Sequence, residues 1–153
     1  MIGAIVLAAG LSKRMGSPKM ILPWGDSTVI ERVVTVLDTT GVTPIVVVTG
    51  GAKEQVERQL SGRNVQIVFN PVYQNGEMLS SIQVGLRSLP ETCEAALISL
   101  GDQPQINVET VRGIIEEYHN SGRRYIIPSY QMRRGHPWLI QRDYWTEILE
   151  MSA

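Results

Sequence analysis

Short apolar runs rich in β-branched residues alternate along the chain with segments in which apolar residues recur every three or four positions. The short runs are typical of buried strands, and the longer segments are typical of amphipathic helices. The predicted strands are residues 2–7, 45–49, 65–69, 95–100 and 125–128. The predicted helices are residues 29–37, 53–60, 80–89, 108–118 and 143–150.

Regular alternation of strands and helices predicts a three-layer α/β/α domain with a mostly parallel sheet and helices on both faces. Two helix starts have the spacing of a capping box, Thr28 with Glu31 and Ser80 with Gln83. Ligands of such sheets bind outside the carboxyl ends of the strands. We therefore expect the functional residues in the loops that follow the first, third and fourth predicted strands.

The chain has 153 residues, enough for one domain with a substantial core, and no linker or repeat divides residues 1–153. A formal net charge of −1 does not favour coating of nucleic acid through overall charge. The apolar run at residues 2–11 is shorter than the roughly 18–20 residues that cross a bilayer, so no membrane association is expected. Cys93 is the only cysteine, which excludes an internal disulfide and favours a reducing, cytoplasmic setting.

The loop after the first strand, LAAGLSKRMGSPK at residues 7–19, combines small residues with positive charge. Small residues let a ligand come close to the backbone, whose N–H groups can then bind phosphate oxygens. The spacing fits neither a Walker A loop nor a GxGxxG fingerprint, and a basic, glycine-containing loop also occurs without any ligand. The candidate nucleotide-binding residues of this loop are Ala8, Ala9, Gly10, Ser12, Lys13, Arg14, Gly16 and Lys19.

The segment after the third strand begins with Asn70 and leads into a predicted helix that carries Ser80 and Ser81 in its first turn. A helix N-terminus with free N–H groups and hydroxyls suits a ribose, a base edge or a phosphate. Taken alone, the same serines are better explained as helix caps that bind no ligand. Their sequence context alone leaves both interpretations open.

Two further segments carry charged residues. Asp102 follows the fourth strand in the string LGDQP, where it is either a turn former or a ligand of a hard cation such as Mg²⁺. Arg134 and His136 belong to the string RRGHP at residues 133–137. These two side chains either bind an anionic second substrate or belong to a solvated turn.

Together these segments resemble a known group of enzymes. LAAGLSKRMGSPK resembles the signature of the nucleotidyltransferases that share the nucleotide-diphospho-sugar transferase fold. NPVY and SSIQVGL within residues 70–86, LGDQP and RGHP resemble segments of the MobA-like nucleotidyltransferases, and within them of the molybdenum cofactor cytidylyltransferase-like group. The resemblance implies this fold and a Mg²⁺-dependent transfer of CMP from CTP to the phosphate of molybdopterin, with release of pyrophosphate.

The resemblance also implies roles for individual residues. The implied catalytic residues are Arg14, Lys19 and Asp102, of which Asp102 would hold Mg²⁺. The implied nucleotide-binding residues, beyond those of the first loop, are Asn70, Ser80 and Ser81. The implied acceptor-binding residues are Arg134 and His136.

Three alternatives stay open at this point. They are a GTP-using guanylyltransferase, a nucleotidyltransferase acting on a sugar phosphate or another phosphate, and a non-catalytic maturation factor that binds a nucleotide or cofactor for a molybdenum hydroxylase. Ala9 favours the cytidylyl branch, because the guanylyl branch often has a second glycine there. Family members extend further, so the resemblance implies one nucleotidyltransferase domain over residues 1–153 that lacks the family's C-terminal segment, with a molybdenum hydroxylase as a possible partner.

Overall fold

The computed structural model describes residues 1–10, 17–75 and 78–152. The strands of these residues are β1 (Ile2–Ala8), β2 (Pro23–Trp24), β3 (Ser27–Thr28), β4 (Ile45–Thr49), β5 (Gln66–Phe69), β6 (Ala95–Leu100), β7 (Tyr125–Ile126), β8 (Ser129–Tyr130), β9 (Arg133–Arg134) and β10 (Trp138–Gln141). The α-helices are α1 (Val29–Thr39), α2 (Lys53–Gln59), α3 (Met78–Ser88), α4 (Val108–Ser121) and α5 (Trp145–Glu150).

Six of the strands form one sheet in the order β5-β4-β1-β6-β10-β7. The first four in this order are parallel to one another, whereas β10 runs antiparallel to both of its neighbours. The prediction of a mainly parallel sheet is therefore confirmed. The parallel strands carry their carboxyl ends to one edge, and β10 begins at that same edge because Trp138 pairs with Ile98.

Helices cover both faces of the sheet and make the three layers that were predicted. Val6 and Val47 belong to the core shared with α1, α2 and α4. Ile5 and Val46 belong to the core shared with α3 and α5. Strands buried on both faces need apolar residues at successive positions, which explains the unbroken apolar runs at β1 and β4. Each helix within the described residues is too short or too polar to cross a bilayer.

One of the two predicted capping boxes is confirmed and the other is wrong. Thr28 caps α1, with its N–H donating to Glu31 Oε2 over 2.8 Å and its Oγ1 accepting from the Glu31 N–H over 3.5 Å. Ser80, by contrast, lies inside α3, which already includes Met78. The Gln83 side chain is buried and donates instead to the carbonyls of Ile148 and Met151, both over 2.9 Å. A buried amide needs such partners, and they come from the end of α5.

The end of the chain differs most from the prediction. The strand expected at residues 125–128 has only the two residues of β7, and β10 was not predicted at all. β10 is a four-residue run next to a proline, and so short a run carries no periodicity. A 3₁₀ turn at Arg142–Tyr144 precedes α5, so this helix begins two residues later than predicted.

Candidate functional site

The carboxyl edge of the sheet brings the loops after β1, β4, β5 and β6 together. The loops are tied to one another by backbone hydrogen bonds, from the N–H of Gly101 to the carbonyl of Leu7 (2.9 Å) and from the N–H of Asn70 to the carbonyl of Thr49 (2.8 Å). The sequence predicted that loops following the first, third and fourth predicted strands would carry the functional residues. The structure places these three loops at one edge, as the topology rule requires.

Two glycines allow these loops to approach one another. A Cβ on Gly50 would lie 2.7 Å from the carbonyl oxygen of Ala9 and 2.8 Å from the Tyr73 side chain. A Cβ on Gly101 would lie 2.8 Å from the carbonyl oxygen of Leu7. Gly50 is not among the residues predicted from the sequence, although a Gly-Gly pair directly after a buried strand is a recognisable signal of close backbone approach.

The first loop is described at its two ends. Ala8 is the last residue of β1, and both Ala8 and Ala9 are buried in the core. Gly10 is exposed. Lys19 is exposed and begins a 3₁₀ turn at Lys19–Ile21. The remaining candidates of this loop lie outside the described residues, namely Ser12, Lys13, Arg14 and Gly16.

Asn70 is the centre of a buried polar cluster. Its side chain is fully buried, and its Nδ2 donates to Ser80 Oγ and to Ser81 Oγ, each over 3.0 Å. Its Oδ1 accepts the N–H of Val72 over 3.0 Å. The cluster thus fastens α3 to the end of β5. The two serines lie in the first turn of α3 and are neither of them the helix cap that was the alternative interpretation.

Asp102 is exposed directly after β6, beside the loop that follows β1. Within the described residues, no three His, Cys, Asp or Glu side chains come together as a metal site. A closed site of the zinc type therefore does not fit this part of the chain. A single exposed carboxylate does fit a hard cation that takes its other ligands from water and substrate phosphates, which is how Mg²⁺ is commonly held.

His136 is packed rather than solvated. Its ring stacks on Trp138 with centroids 4.4 Å apart and planes 20° apart. Its Nε2 is buried and has no hydrogen-bond partner within the described part of the chain. Burial lowers the pKa of His136 from its usual 6.5, and the negative charge of Asp102 opposes this by raising it. The neutral imidazole is therefore favoured. The effect of Asp102 on this pKa indicates that the two side chains interact electrostatically.

A small polar cavity of about 90 Å³ adjoins His136 between the end of β6 and the start of α4. The polar side chains that line it include those of Ser99, Gln103, Asn107 and Thr110. Arg134 lies apart from this cavity, on an exposed hairpin formed by β8 and β9. The RRGHP segment thus divides into exposed arginines and a packed histidine.

The MobA-like NTP transferase domain model matches residues 4–153. The chain belongs to this family. Its fold is that of the nucleotide-diphospho-sugar transferases, as the resemblance implied, and it is shared with solved structures that include a nucleotidyl transferase.

Rv0371c from Mycobacterium tuberculosis H37Rv is 28% identical to this MobA-like chain, with a TM-score of 0.88, over 99% of this chain and 77% of Rv0371c. Rv0371c has also been solved in complex with manganese (27% identity, TM-score 0.82, 98% and 76% covered). A nucleotidyl transferase from Methanothermobacter is 29% identical, with a TM-score of 0.83, over all of this chain and 77% of the other.

The bifunctional protein GlmU of Francisella tularensis subsp. novicida is 36% identical over 118 residues, or 75% of this MobA-like chain. This chain spans a quarter of the length of the GlmU proteins it matches.

Proposed function

We propose that this MobA-like domain transfers CMP from CTP to the phosphate of a molybdopterin-type acceptor, with release of pyrophosphate and with dependence on Mg²⁺. The observation that carries the proposal is that the loop after β1 meets the loop after β6, which carries Asp102, at one edge of the sheet. Leu7, where the first of these loops begins, accepts the N–H of Gly101, and Asp102 follows next in the chain. A triphosphate on the first loop would therefore lie beside Asp102.

Nucleotidyl transfer requires positioning of the two substrates and neutralisation of the phosphate charges. A phosphate oxygen of the acceptor attacks the α-phosphorus of CTP, a new P–O bond forms, and the bond to pyrophosphate breaks with its electron pair going to the leaving oxygen. The attacking phosphate is already an anion at neutral pH, so the step needs no general base.

Basic side chains on the first loop would bind the triphosphate. Lys19 is exposed at the end of this loop and would stabilise charge on the leaving pyrophosphate. Arg14, outside the described residues, is proposed to neutralise the α-phosphate in the same way. The remaining candidates would contribute backbone N–H groups and local charge, namely Ala8, Ala9, Gly10, Ser12, Lys13 and Gly16.

Asp102 would hold the divalent cation, because its exposed carboxylate suits an ion that takes its other ligands from substrate phosphates and water. When bound, such a cation supplies Lewis-acid stabilisation of the phosphate charges. The manganese complex of Rv0371c supports a divalent cation in this fold. Asn70, Ser80 and Ser81 are proposed to form the nucleotide side by holding α3 against β5, and Arg134 and His136 to form the acceptor side.

A panel of nucleotides and acceptors tests the proposal. The purified chain is mixed with Mg²⁺ and each of CTP, GTP, ATP and UTP, in combination with molybdopterin or glucose 1-phosphate, and pyrophosphate release is measured. We expect release only when CTP and molybdopterin are both present. Preference for GTP would assign the chain to guanylyl transfer. Turnover with glucose 1-phosphate but not with molybdopterin would show that the acceptor is a sugar phosphate.

A binding measurement separates the enzyme from a maturation factor. Thermal shifts with each nucleotide and Mg²⁺ report binding without turnover, because a ligand that binds only the folded state raises its stability. A CTP-dependent shift with no pyrophosphate release under any acceptor would contradict the enzymatic proposal and favour the maturation factor. An exchange of Mg²⁺ for Mn²⁺ in the same assay tests which cation supports turnover.

A further inference from the structure

The hairpin of β8 and β9 carries an unusual turn. Tyr130 pairs with Arg133, so only Gln131 and Met132 connect the two strands. Both of these have positive φ, +49° and +66°. A two-residue turn with two positive φ angles strongly prefers Asn-Gly or Asp-Gly, because other side chains are strained there. Met132 is 98% exposed, so contacts with the rest of the chain do not compensate this strain.

The tight turn has one clear consequence, which is the register of the hairpin. Tyr130 lies directly opposite Arg133, and Ser129 lies directly opposite Arg134. Residues opposite one another in a hairpin project from the same face with Cβ atoms roughly 5 Å apart. One face therefore carries an aromatic ring beside a guanidinium group, and the other carries the arginine that the family resemblance singled out.

The ring and the guanidinium are both available to a ligand. Tyr130 is 78% exposed, and its side chain contacts the Gln131 amide at 3.5 Å. Within the described residues no ring or cation stacks on Tyr130, and Arg133 forms no ion pair. The exposed Tyr130 ring and the Arg133 guanidinium are therefore both accessible to a ligand.

The hairpin projects from the same edge as Asp102. It leaves the sheet after β7, whose Ile126 pairs with Leu139 of β10. Its base is closed by the N–H of Gly135, which donates to the carbonyl of Pro128 over 2.8 Å. The next residue is His136, which lies within the electrostatic influence of Asp102. The hairpin is therefore anchored beside the acceptor side of the site.

We infer that Tyr130 and Arg133 form a platform for the acceptor, which they recognise as a flat aromatic ring that carries an anionic group. The Tyr130 ring stacks on the flat ring, and the Arg133 guanidinium pairs with the anion. This inference rests on the proposed function for the identity of the acceptor side. It assigns acceptor selectivity to a hairpin face that carries neither Arg134 nor His136.

Direct binding of two probes tests the platform without turnover. The probes are 6-carboxypterin, a flat ring with a carboxylate, and glucose 1-phosphate, an anion without a flat ring, each titrated by calorimetry. We expect Tyr130→Ser to weaken 6-carboxypterin about tenfold or more, as loss of a stacking side chain does elsewhere, and to leave glucose 1-phosphate within twofold. Arg133→Gln should weaken both probes, and Tyr130→Phe should keep the affinity of the wild type.

Met132→Gly is the matched control, because it relieves the positive φ and keeps the register while it removes an exposed side chain of the same hairpin. Its 6-carboxypterin affinity should stay within twofold of the wild type. The inference is overturned if the wild type does not bind 6-carboxypterin, or if Tyr130→Ser binds it as tightly as the wild type does. In turnover with molybdopterin, Tyr130→Ser should raise the acceptor KM about tenfold with kcat and the CTP KM unchanged.

The calorimetry also separates this inference from the proposed function. Binding of 6-carboxypterin that depends on Tyr130, in a chain that transfers no nucleotide, would support the platform and contradict the enzymatic proposal. Turnover of CTP and molybdopterin that is indifferent to Tyr130→Ser and Arg133→Gln would support the proposed function and overturn the platform.

Discussion

The two ends of the carboxyl edge are built differently. At the end of β5, the polar side chains of Asn70, Ser80 and Ser81 are buried and bonded to one another. Beyond β6, by contrast, Asp102 and Arg134 are exposed. The first region resembles a polar core, and the second is an exposed, charged surface.

This difference predicts which property each region controls. A buried polar group that loses its partner keeps the cost of its desolvation, so changes at Asn70 are expected to reduce stability. An exposed charged group contributes little to folding, so changes at Asp102 are expected to reduce activity alone. Each of the following variants tests this separation, beginning with the largest expected effect.

Asp102→Ala should reduce metal-dependent pyrophosphate release by about a hundredfold or more, because the cation would lose its protein ligand. The melting temperature should stay close to that of the wild type, since the side chain is exposed. Turnover is measured with CTP, molybdopterin and a series of Mg²⁺ concentrations. Glu116→Gln, an exposed carboxylate in the C-terminal half of α4, is the matched control and should turn over normally. Full activity of Asp102→Ala would contradict the proposal that Asp102 holds the divalent cation.

Lys19→Ala should lower kcat/KM for CTP by roughly 10- to 100-fold, because the positive charge proposed to stabilise the leaving pyrophosphate would be lost. Circular dichroism should show an unchanged fold. Arg112→Ala, which removes an exposed cation from α4, should leave kcat/KM unchanged. If Lys19→Ala and Arg112→Ala behave alike, the triphosphate is bound by other groups.

Asn70→Ala should lower the free energy of unfolding by about 2–3 kcal/mol, because the three hydrogen bonds of the buried Asn70 side chain are lost. Urea unfolding measures this change. Asn120→Ala, at an exposed position near the end of α4, should stay within about 0.5 kcal/mol of the wild type. A stable Asn70→Ala with reduced CTP affinity would reverse the comparison, since Asn70 would then serve the ligand and not the fold.

The sequence predicted the parallel half of the sheet better than the antiparallel half. β1, β4 and β6 are buried on both faces, and such strands must be continuously apolar, which makes them visible in a pattern of residues. β10 and β7 have four and two residues, and their pairing depends on contacts with distant parts of the chain. No local pattern indicates pairing of that kind.

The same limit applies to the site. Loops at strand ends can be located from the order of elements, and the position of Asp102 at the edge follows from topology. The interaction of Asn70 with α3 could not be predicted, since spacing suggested that Ser80 would cap the helix. The turn at Gln131 and Met132 carries neither Gly nor Asn, so the sequence contains no signal for its positive φ angles.

His136 gives the smallest predicted effect, and it concerns pH. Burial lowers the pKa of His136 below 6.5, so the unfolded chain takes up a proton at a higher pH than the folded chain does. The free energy of unfolding therefore decreases as the pH falls from above 6.5 towards the lowered pKa. Melting temperatures measured from pH 7.5 to pH 5 should fall less steeply in His136→Phe, which keeps a ring against Trp138.

His119→Asn is the control for this measurement, because it removes an exposed histidine on the last turn of α4 and leaves His136 in place. Asp102→Ala sharpens the test, since Asp102 raises the pKa of His136 against the effect of burial. Without that carboxylate the pKa of His136 falls further, so the loss of stability should extend to a lower pH. Equal slopes for the wild type, His136→Phe and Asp102→Ala would show that His136 is not held neutral by burial, and that the region beyond β6 is more solvated than the comparison requires.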